Sequence, residues 1–320
     1  MCVSQSVNPT SRGRIEVIDI ARAVALFAMA IYHFAWDLEF FNYVERGLTG
    51  SGGWRIFART IASSFLFLVG VSLVLAHGRA IRWRPFLVRL AQVAAGAAAI
   101  TIVTLFVTPN SFVFFGILQL IAVASVLGLL FIRLPWLVTA FAAAVTLALP
   151  LLISHPVFDP KWLAWIGFFE TPPFSNDFIP IFPFFGAVLA GIASARFALV
   201  HGVFDRLRGW NPALRPMWPL GVLGRHALLF YLLHQPILFG VVFVFSLAAP
   251  ADKQAVFRAD CQRACLAERD GAFCERYCGC AERELRAEGL FDALMGGGPD
   301  ETQMTRIREI TNQCSFEQAK

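Results

Sequence analysis

The chain has 320 residues, of which 57% are apolar and 15% charged, and its mean hydropathy is +0.63. Those values lie far from the averages of a soluble domain and make a lipid bilayer the solvent of most of the chain. The net charge of +5 does not point to nucleic acid, because the arginines sit in loops beside apolar segments rather than on a soluble face.

A helical span needs roughly 20 mostly apolar residues. In chain order the candidates are 15–38, 56–76, 86–107, 114–132, 136–153, 178–195 and 220–249. That makes seven, with six or eight still open because two of the segments are short or bounded by proline. The apolar stretch 162–169 reads as interfacial. A backbone in lipid must satisfy its own hydrogen bonds, and no alternating ten-residue pattern suggests a barrel, so the expected fold is an all-α polytopic membrane bundle. Arg12 and Arg14 precede the first span, which itself carries charges and lacks a small-residue cleavage site, so it is expected to stay rather than be removed as a signal peptide.

Basic residues gather before the first span, between the second and third (Arg79, Arg82, Arg84, Arg89) and between the sixth and seventh (Arg196, Arg206, Arg208, Arg215). Those faces are expected to be cytoplasmic, which places the connections around 108–111 and 154–177 outside. The expected organisation is a cytoplasmic segment over 1–14, a transmembrane domain over 15–249 and an extracytoplasmic tail over 250–320, in which acidic residues outnumber basic ones.

That tail holds six of the seven cysteines: Cys261, Cys265, Cys274, Cys278, Cys280 and Cys314. An even number in an outward-facing segment suggests disulfides. Cys261 and Cys265 lie four apart, as do Cys274 and Cys278, so on two short helices each pair shares a face and a hairpin could staple them. The preferred pairing is Cys261 with Cys278, Cys265 with Cys274 and Cys280 with Cys314; other connectivities, and a four-thiolate zinc site, stay open.

Charge inside a span is expensive, roughly 2.5–3.5 kcal/mol at a helix centre, and so needs a reason. In the first span Asp19, Arg22, His33 and Asp37 fall within about 60° of one another on a helix and form one polar stripe roughly 27 Å long. Asp19 and Arg22 could be no more than an i,i+3 ion pair at a helix start. His33 with a carboxylate one turn away is the sharper signal, since such a carboxylate fixes the tautomer of a general base and stabilises the imidazolium that forms. The last span carries Arg225, His226, Tyr231, His234 and Gln235, followed by Pro236, which is expected to kink the helix. This set reads equally as the wall of a cavity and as a network that glues helices together.

The same residues carry a resemblance. Ile18-Asp19 with Arg22, a run of apolar residues and then Tyr32-His33 looks like the opening helix of membrane-bound acyltransferases. His33 to Leu38, Phe115 to Gln119, Asp177 to Gly186, and Leu223-Gly224-Arg225-His226 with Tyr231 to Pro236 together resemble the bacterial branch of the heparan-alpha-glucosaminide N-acetyltransferase catalytic-domain family. The resemblance covers residues 14 to about 245 and leaves the Cys-rich tail outside. It departs from the pattern at Ala23, where a glycine is usual, and at Gln119, where relatives often have histidine.

The resemblance implies an enzyme of the bacterial inner membrane that moves an acyl group, commonly acetyl, from cytoplasmic acyl-CoA to a hydroxyl or amine of a glycan or amino sugar on the far side. His33, Asp37 and His234 would be catalytic. Asp19, Arg22, Gln119 and Arg225 would bind the acyl-CoA, and Asp177, Tyr231 and Gln235 the acceptor. No nucleotide-binding or metal motif is visible, so no metal is expected; a monomer and a homo-oligomer are both open. Two rival readings use the same residues: a transporter or flippase with a charged pathway, and a structural anchor that displays the tail.

Overall fold

The computed structural model describes residues 15–209, 218–296 and 299–318; the expected cytoplasmic segment 1–14, with Arg12 and Arg14, lies outside the described residues, as does Arg215. Among the described residues the protein is helical, and the only pairing of extended chain is an isolated parallel bridge between Phe115 and Phe178. The helices are α1 (Glu16–Phe40), α2 (Gly52–His77), α3 (Trp83–Val107), α4 (Ile117–Gly128), α5 (Trp136–Leu152), α6 (Lys161–Ala164), α7 (Ile181–Val200), α8 (Val203–Gly209), α9 (Trp218–Arg225), α10 (Ala227–Ala248), α11 (Lys253–Leu266), α12 (Gly271–Ala287), α13 (Phe291–Met295) and α14 (Glu301–Gln318). Five of them, α1, α2, α3, α7 and α10, are long and apolar enough to cross a membrane, and α4 and α5 are shorter apolar helices. The protein is a polytopic helical membrane protein.

Each of the seven expected spans coincides with helix, with corrected ends, and five of the helices are long enough to cross. The seventh is two helices: the chain breaks at His226, between α9 and α10, whereas α10 continues through Pro236, where the kink was expected. The fourth begins only at Ile117, because 112–116 is drawn into a connection with the loop before α7. There Asn176 N–H donates to the Ser111 carbonyl at 2.8 Å and Ile179 N–H to the Phe115 carbonyl at 3.1 Å. The sixth becomes regular helix only after Phe182, whose φ and ψ are extended. Residues 162–169 form one short helical turn and a loop rather than a span.

The chain divides into two compact units. The first comprises 1–28 and 59–232, the second 29–58 and 233–320, so α1 contributes its first half to one and its second half to the other. The core of the first unit is built on Leu66, Leu120, Val188, Leu189 and Ile192, all essentially inaccessible. Small residues let its backbones touch, as is usual where helices pack in lipid. A Cβ on Gly70 of α2 would overlap the Val188 carbonyl oxygen, and one on Gly191 of α7 would overlap that of Phe67.

In the second unit the tail helices α11 to α14 enclose a small core of Leu285, Phe291, Met295 and Ile310. Disulfides join Cys261 to Cys278, Cys265 to Cys274 and Cys280 to Cys314, the preferred pairing, and take all six tail thiols, which sets the zinc reading aside. Helix α12 opens on Asp270, whose carboxylate accepts the Phe273 N–H at 2.9 Å. That bond holds the Asp270 pKa below its ordinary value, and paired hydrogen bonds from Arg306 do the same for Glu288.

Two outcomes follow. Gly70→Ala and Gly191→Ala each press a methyl onto backbone that cannot yield, at a cost of about 1–3 kcal/mol, read as a lower thermal midpoint in detergent. A carboxylate with a depressed pKa stabilises the fold above its ordinary pKa, and that contribution disappears as pH falls through the depressed value. The gap in thermal midpoint between wild type and Asp270→Asn is therefore present at pH 7 and closes as pH falls through the depressed pKa of Asp270.

Candidate functional site

Two constellations of polar residues stand out, one in each unit. The first is a cavity of about 380 Å³, within the range of small-molecule sites. It is lined by the start of α1, the second half of α2, the start of α3, one face of α4 and the α9–α10 junction. Its polar lining is Arg22, Ser72, His77, Arg89, Ser125, Arg225 and Tyr231, with an apolar wall that includes Leu26, Leu118, Ile121 and Leu228; no carboxylate is among the described lining residues.

The arginines are fixed from behind. Asp19, only 2% exposed, accepts from Arg22 Nη1 at 2.6 Å, and its other oxygen lies 3.8 Å from Arg225 Nε. Arg22 Nη2 donates to Ser72 Oγ at 2.6 Å. Close approach of α9 to α1 makes the second pairing reachable: a Cβ on Gly224 would overlap the Asp19 carbonyl oxygen. The i,i+3 pair read in the sequence is thus the inner part of a three-residue cluster. Arg89 forms no ion pair among the described residues. One carboxylate against three guanidiniums leaves the cavity positive, and guanidinium groups match phosphate oxygens bidentately.

Gln119 and Asp177 are placed elsewhere. Gln119 Nε2 donates to Thr101 Oγ1 at 2.9 Å and to the Ala97 carbonyl at 3.3 Å, while its Oε1 accepts the Gly116 N–H at 3.0 Å, so it caps α4 and lies outside the cavity lining. Asp177 accepts the Ile117 N–H at 3.0 Å, at the start of the same helix. Burial raises its pKa, and that N–H bond works against the shift. The two motifs that carry these residues form one structural connection. Tyr231 lies within electrostatic reach of Asp177 as well as in the cavity wall.

The second constellation lies in the other unit. The ring of His33 meets that of His234 edge-on, with centroids 5.0 Å apart. Asp37 is fully buried, and its Oδ1 accepts from Gln235 Nε2 at 2.7 Å. His33 and Asp37, read as a hydrogen-bonded base and carboxylate, do not bond to each other; the carboxylate is taken by Gln235 and the imidazole faces His234. Helix α10 thus brings His234 and Gln235 to both members of the α1 pair. The His226 ring, at the break between α9 and α10, lies 3.1 Å from the Val222 carbonyl of α9.

Sequence reasoning missed Ser72 and His77, which no motif marks; it offered the inner-loop arginines as a group for the anionic CoA, and of Arg79, Arg82, Arg84 and Arg89 only Arg89 lines the cavity. In each of these a single polar residue lies at the end of an apolar helix, and its role depends on which other helix ends meet it.

A bundle of apolar helices with a cavity lined by three arginines, and elsewhere an imidazole pair beside a buried carboxylate, defines a polytopic membrane protein with polar groups collected inside it. The chain belongs to the heparan-alpha-glucosaminide N-acetyltransferase catalytic-domain family, whose model matches residues 14–236. Neither a curated protein nor a solved structure matches it. Membership places it among transmembrane acyltransferases and does not favour the transporter reading.

Breaking a buried ion pair by removing one partner costs about 3–5 kcal/mol, because the remaining charge is left uncompensated. Asp19→Ala is expected to lose stability on that scale, read by thermal unfolding in detergent. Gln119→Ala, which removes only neutral hydrogen bonds, is expected to lose about 1–3 kcal/mol in the same measurement.

Proposed function

We propose that the protein transfers an acyl group, in the first instance acetyl, from acyl-CoA to a hydroxyl or amine of a glycan-type or amino-sugar acceptor. The observation that carries this reading is the cavity, with three guanidiniums and no carboxylate among its described lining residues, in a chain of the acetyltransferase family. Arg22, Arg89 and Arg225 hold the phosphates of CoA through charge-assisted hydrogen bonds, and Asp19 aims the first and last of them. The apolar wall takes the pantetheine arm. Asp177, through Tyr231, and Gln235 assist on the acceptor side, while Gln119 serves as a cap.

His33 is the general base. As the acceptor's nitrogen or oxygen attacks the thioester carbonyl, its proton passes to the imidazole; the C–S bond breaks, and the departing CoA thiolate takes that proton from the imidazolium. His234, whose ring lies against that of His33, and Gln235 stabilise the oxyanion that develops on the thioester carbonyl. The basic residues of the loops between the spans support a cytoplasmic cavity end, where acyl-CoA is available, and with it a tail over 250–320 on the periplasmic side of a bacterial inner membrane.

Binding of radiolabelled acetyl-CoA to the purified protein in detergent, followed by transfer to glucosamine, tests this assignment. Arg22→Ala is expected to raise the acetyl-CoA Kd about 10- to 100-fold, the loss of a charge-assisted pair of about 1.5–3 kcal/mol. His33→Ala is expected to keep that Kd within about threefold and to lower turnover about 10²- to 10⁴-fold. Folded wild-type protein that binds neither acetyl-CoA nor longer acyl-CoAs overturns the reading, and unaltered turnover in His33→Ala removes the base.

A further inference from the structure

The matched family region ends at residue 236, so the disulfide-bonded tail helices α11 to α14 lie wholly beyond it. Their contacts within the second unit converge on one short loop, 41–51, that follows α1. Helix α13 is only five residues long, so its last carbonyls have no following turn to satisfy them. Two loop side chains do so instead: Arg46 Nη1 donates to the Leu294 carbonyl at 2.9 Å, and Asn42 Nδ2 to the Met295 carbonyl at 2.9 Å. Arg46 Nε also donates to Asn42 Oδ1 at 3.2 Å, so the two residues act as one fitting. Asn42 is buried and sits at φ +61°, a left-handed conformation that asparagine tolerates better than most residues. Arg263 of α11 pairs with Glu45 at 2.7 Å, and the Arg46 N–H reaches Asp260 at 3.4 Å.

The same loop is tied on its other side to the part of α1 that carries His33 and Asp37. Glu39 accepts the N–H groups of Gly47 and Thr49 at 2.7 and 2.8 Å and the Thr49 hydroxyl at 2.6 Å. Tyr32, next to His33, donates its hydroxyl to the Thr49 carbonyl at 3.3 Å. Asp37 is therefore flanked by two residues, Tyr32 and Glu39, whose polar groups are both committed to the loop that the tail holds.

We propose that the Cys-rich tail is a positioning element for the His33 and Asp37 segment of α1, acting through Asn42 and Arg46. The inference rests on the acyl-transfer role assigned to His33 above. Arg46 and Asn42 are positioning residues: they touch no part of the imidazole pair and act through the loop. The three disulfides keep α12 and α13 rigid enough for the Leu294 and Met295 carbonyls to stay aimed at the loop. Reduction of the tail is therefore expected to affect turnover even though no cysteine lies in the catalytic constellation.

The test uses the full-length protein in detergent or nanodiscs and two independent readouts. Hydrogen exchange is followed over 29–51, and acetyl-CoA Kd and kcat are measured for wild type, Arg46→Ala, Arg46→Lys and wild type reduced with a membrane-impermeant phosphine. In Arg46→Ala, amides of 41–51 are expected to exchange at least tenfold faster and kcat to fall at least fivefold, with the Kd for acetyl-CoA within twofold. Arg46→Lys keeps one donor and is expected to recover part of both effects; the reduced wild type is expected to resemble Arg46→Ala. Unchanged exchange in Arg46→Ala, or faster exchange with full kcat, overturns the proposal. A wild type that transfers nothing overturns the acyl-transfer reading instead, and the exchange over 29–40 then still decides whether the tail holds the His33 turn.

Discussion

A carboxylate taken out of water must be paired, and the first unit is organised around the pairing of Asp19. Its two oxygens face the guanidiniums of Arg22 and Arg225, which come from helices far apart in sequence. The second is within reach only because Gly224 lets the backbone of α9 press against that of α1. Arg22 in turn reaches α2 through Ser72. One buried charge therefore sets the spacing of three helices and aims two cations into the cavity that they bound. Arg89 adds a third guanidinium to the same cavity, and it forms no ion pair among the described residues.

The parts of this design that were legible in the sequence are those governed by local periodicity. Apolar runs of sufficient length marked the helices, the three-residue spacing of Asp19 and Arg22 marked their ion pair, and the matched four-residue spacings of two cysteine pairs marked a stapled hairpin. What escaped is non-local. Gln119 and Asp177 took ligand-binding roles from the family resemblance; their partners are the backbone amides of Gly116 and Ile117 at the start of α4 and, for Gln119, a threonine on α3. His33 and Asp37 share a helix face, yet a shared face does not create a hydrogen bond, and the glutamine that reaches Asp37 comes from α10. Pro236 removes one backbone donor without ending α10, while the break at His226 follows no proline.

Buried or half-buried acids in this chain mostly serve as connectors. Asp177 fastens the loop before α7 to α4, Glu39 fastens a loop to the end of α1, and Glu282 joins Arg258 of α11 to Arg286 of its own helix. Each uses the capacity of a carboxylate to accept several donors at once, so a single side chain can hold two elements. Such connectors are hard to tell from catalytic acids by residue type alone. They differ in how many of their oxygens are already occupied by the protein's own donors.

The contact of α2 with α7 has a consequence for how this chain can vary. Gly70 and Gly191 each abut a carbonyl of the opposite helix, not a side chain. Where a side chain crowds a glycine, a smaller neighbour can make room for a larger residue, and such exchanges leave a trail of paired substitutions. A carbonyl cannot be made smaller by any mutation. These two positions have no partner with which to trade volume, so they are expected to remain glycine independently of one another and to show no covariation across the seam that they hold closed.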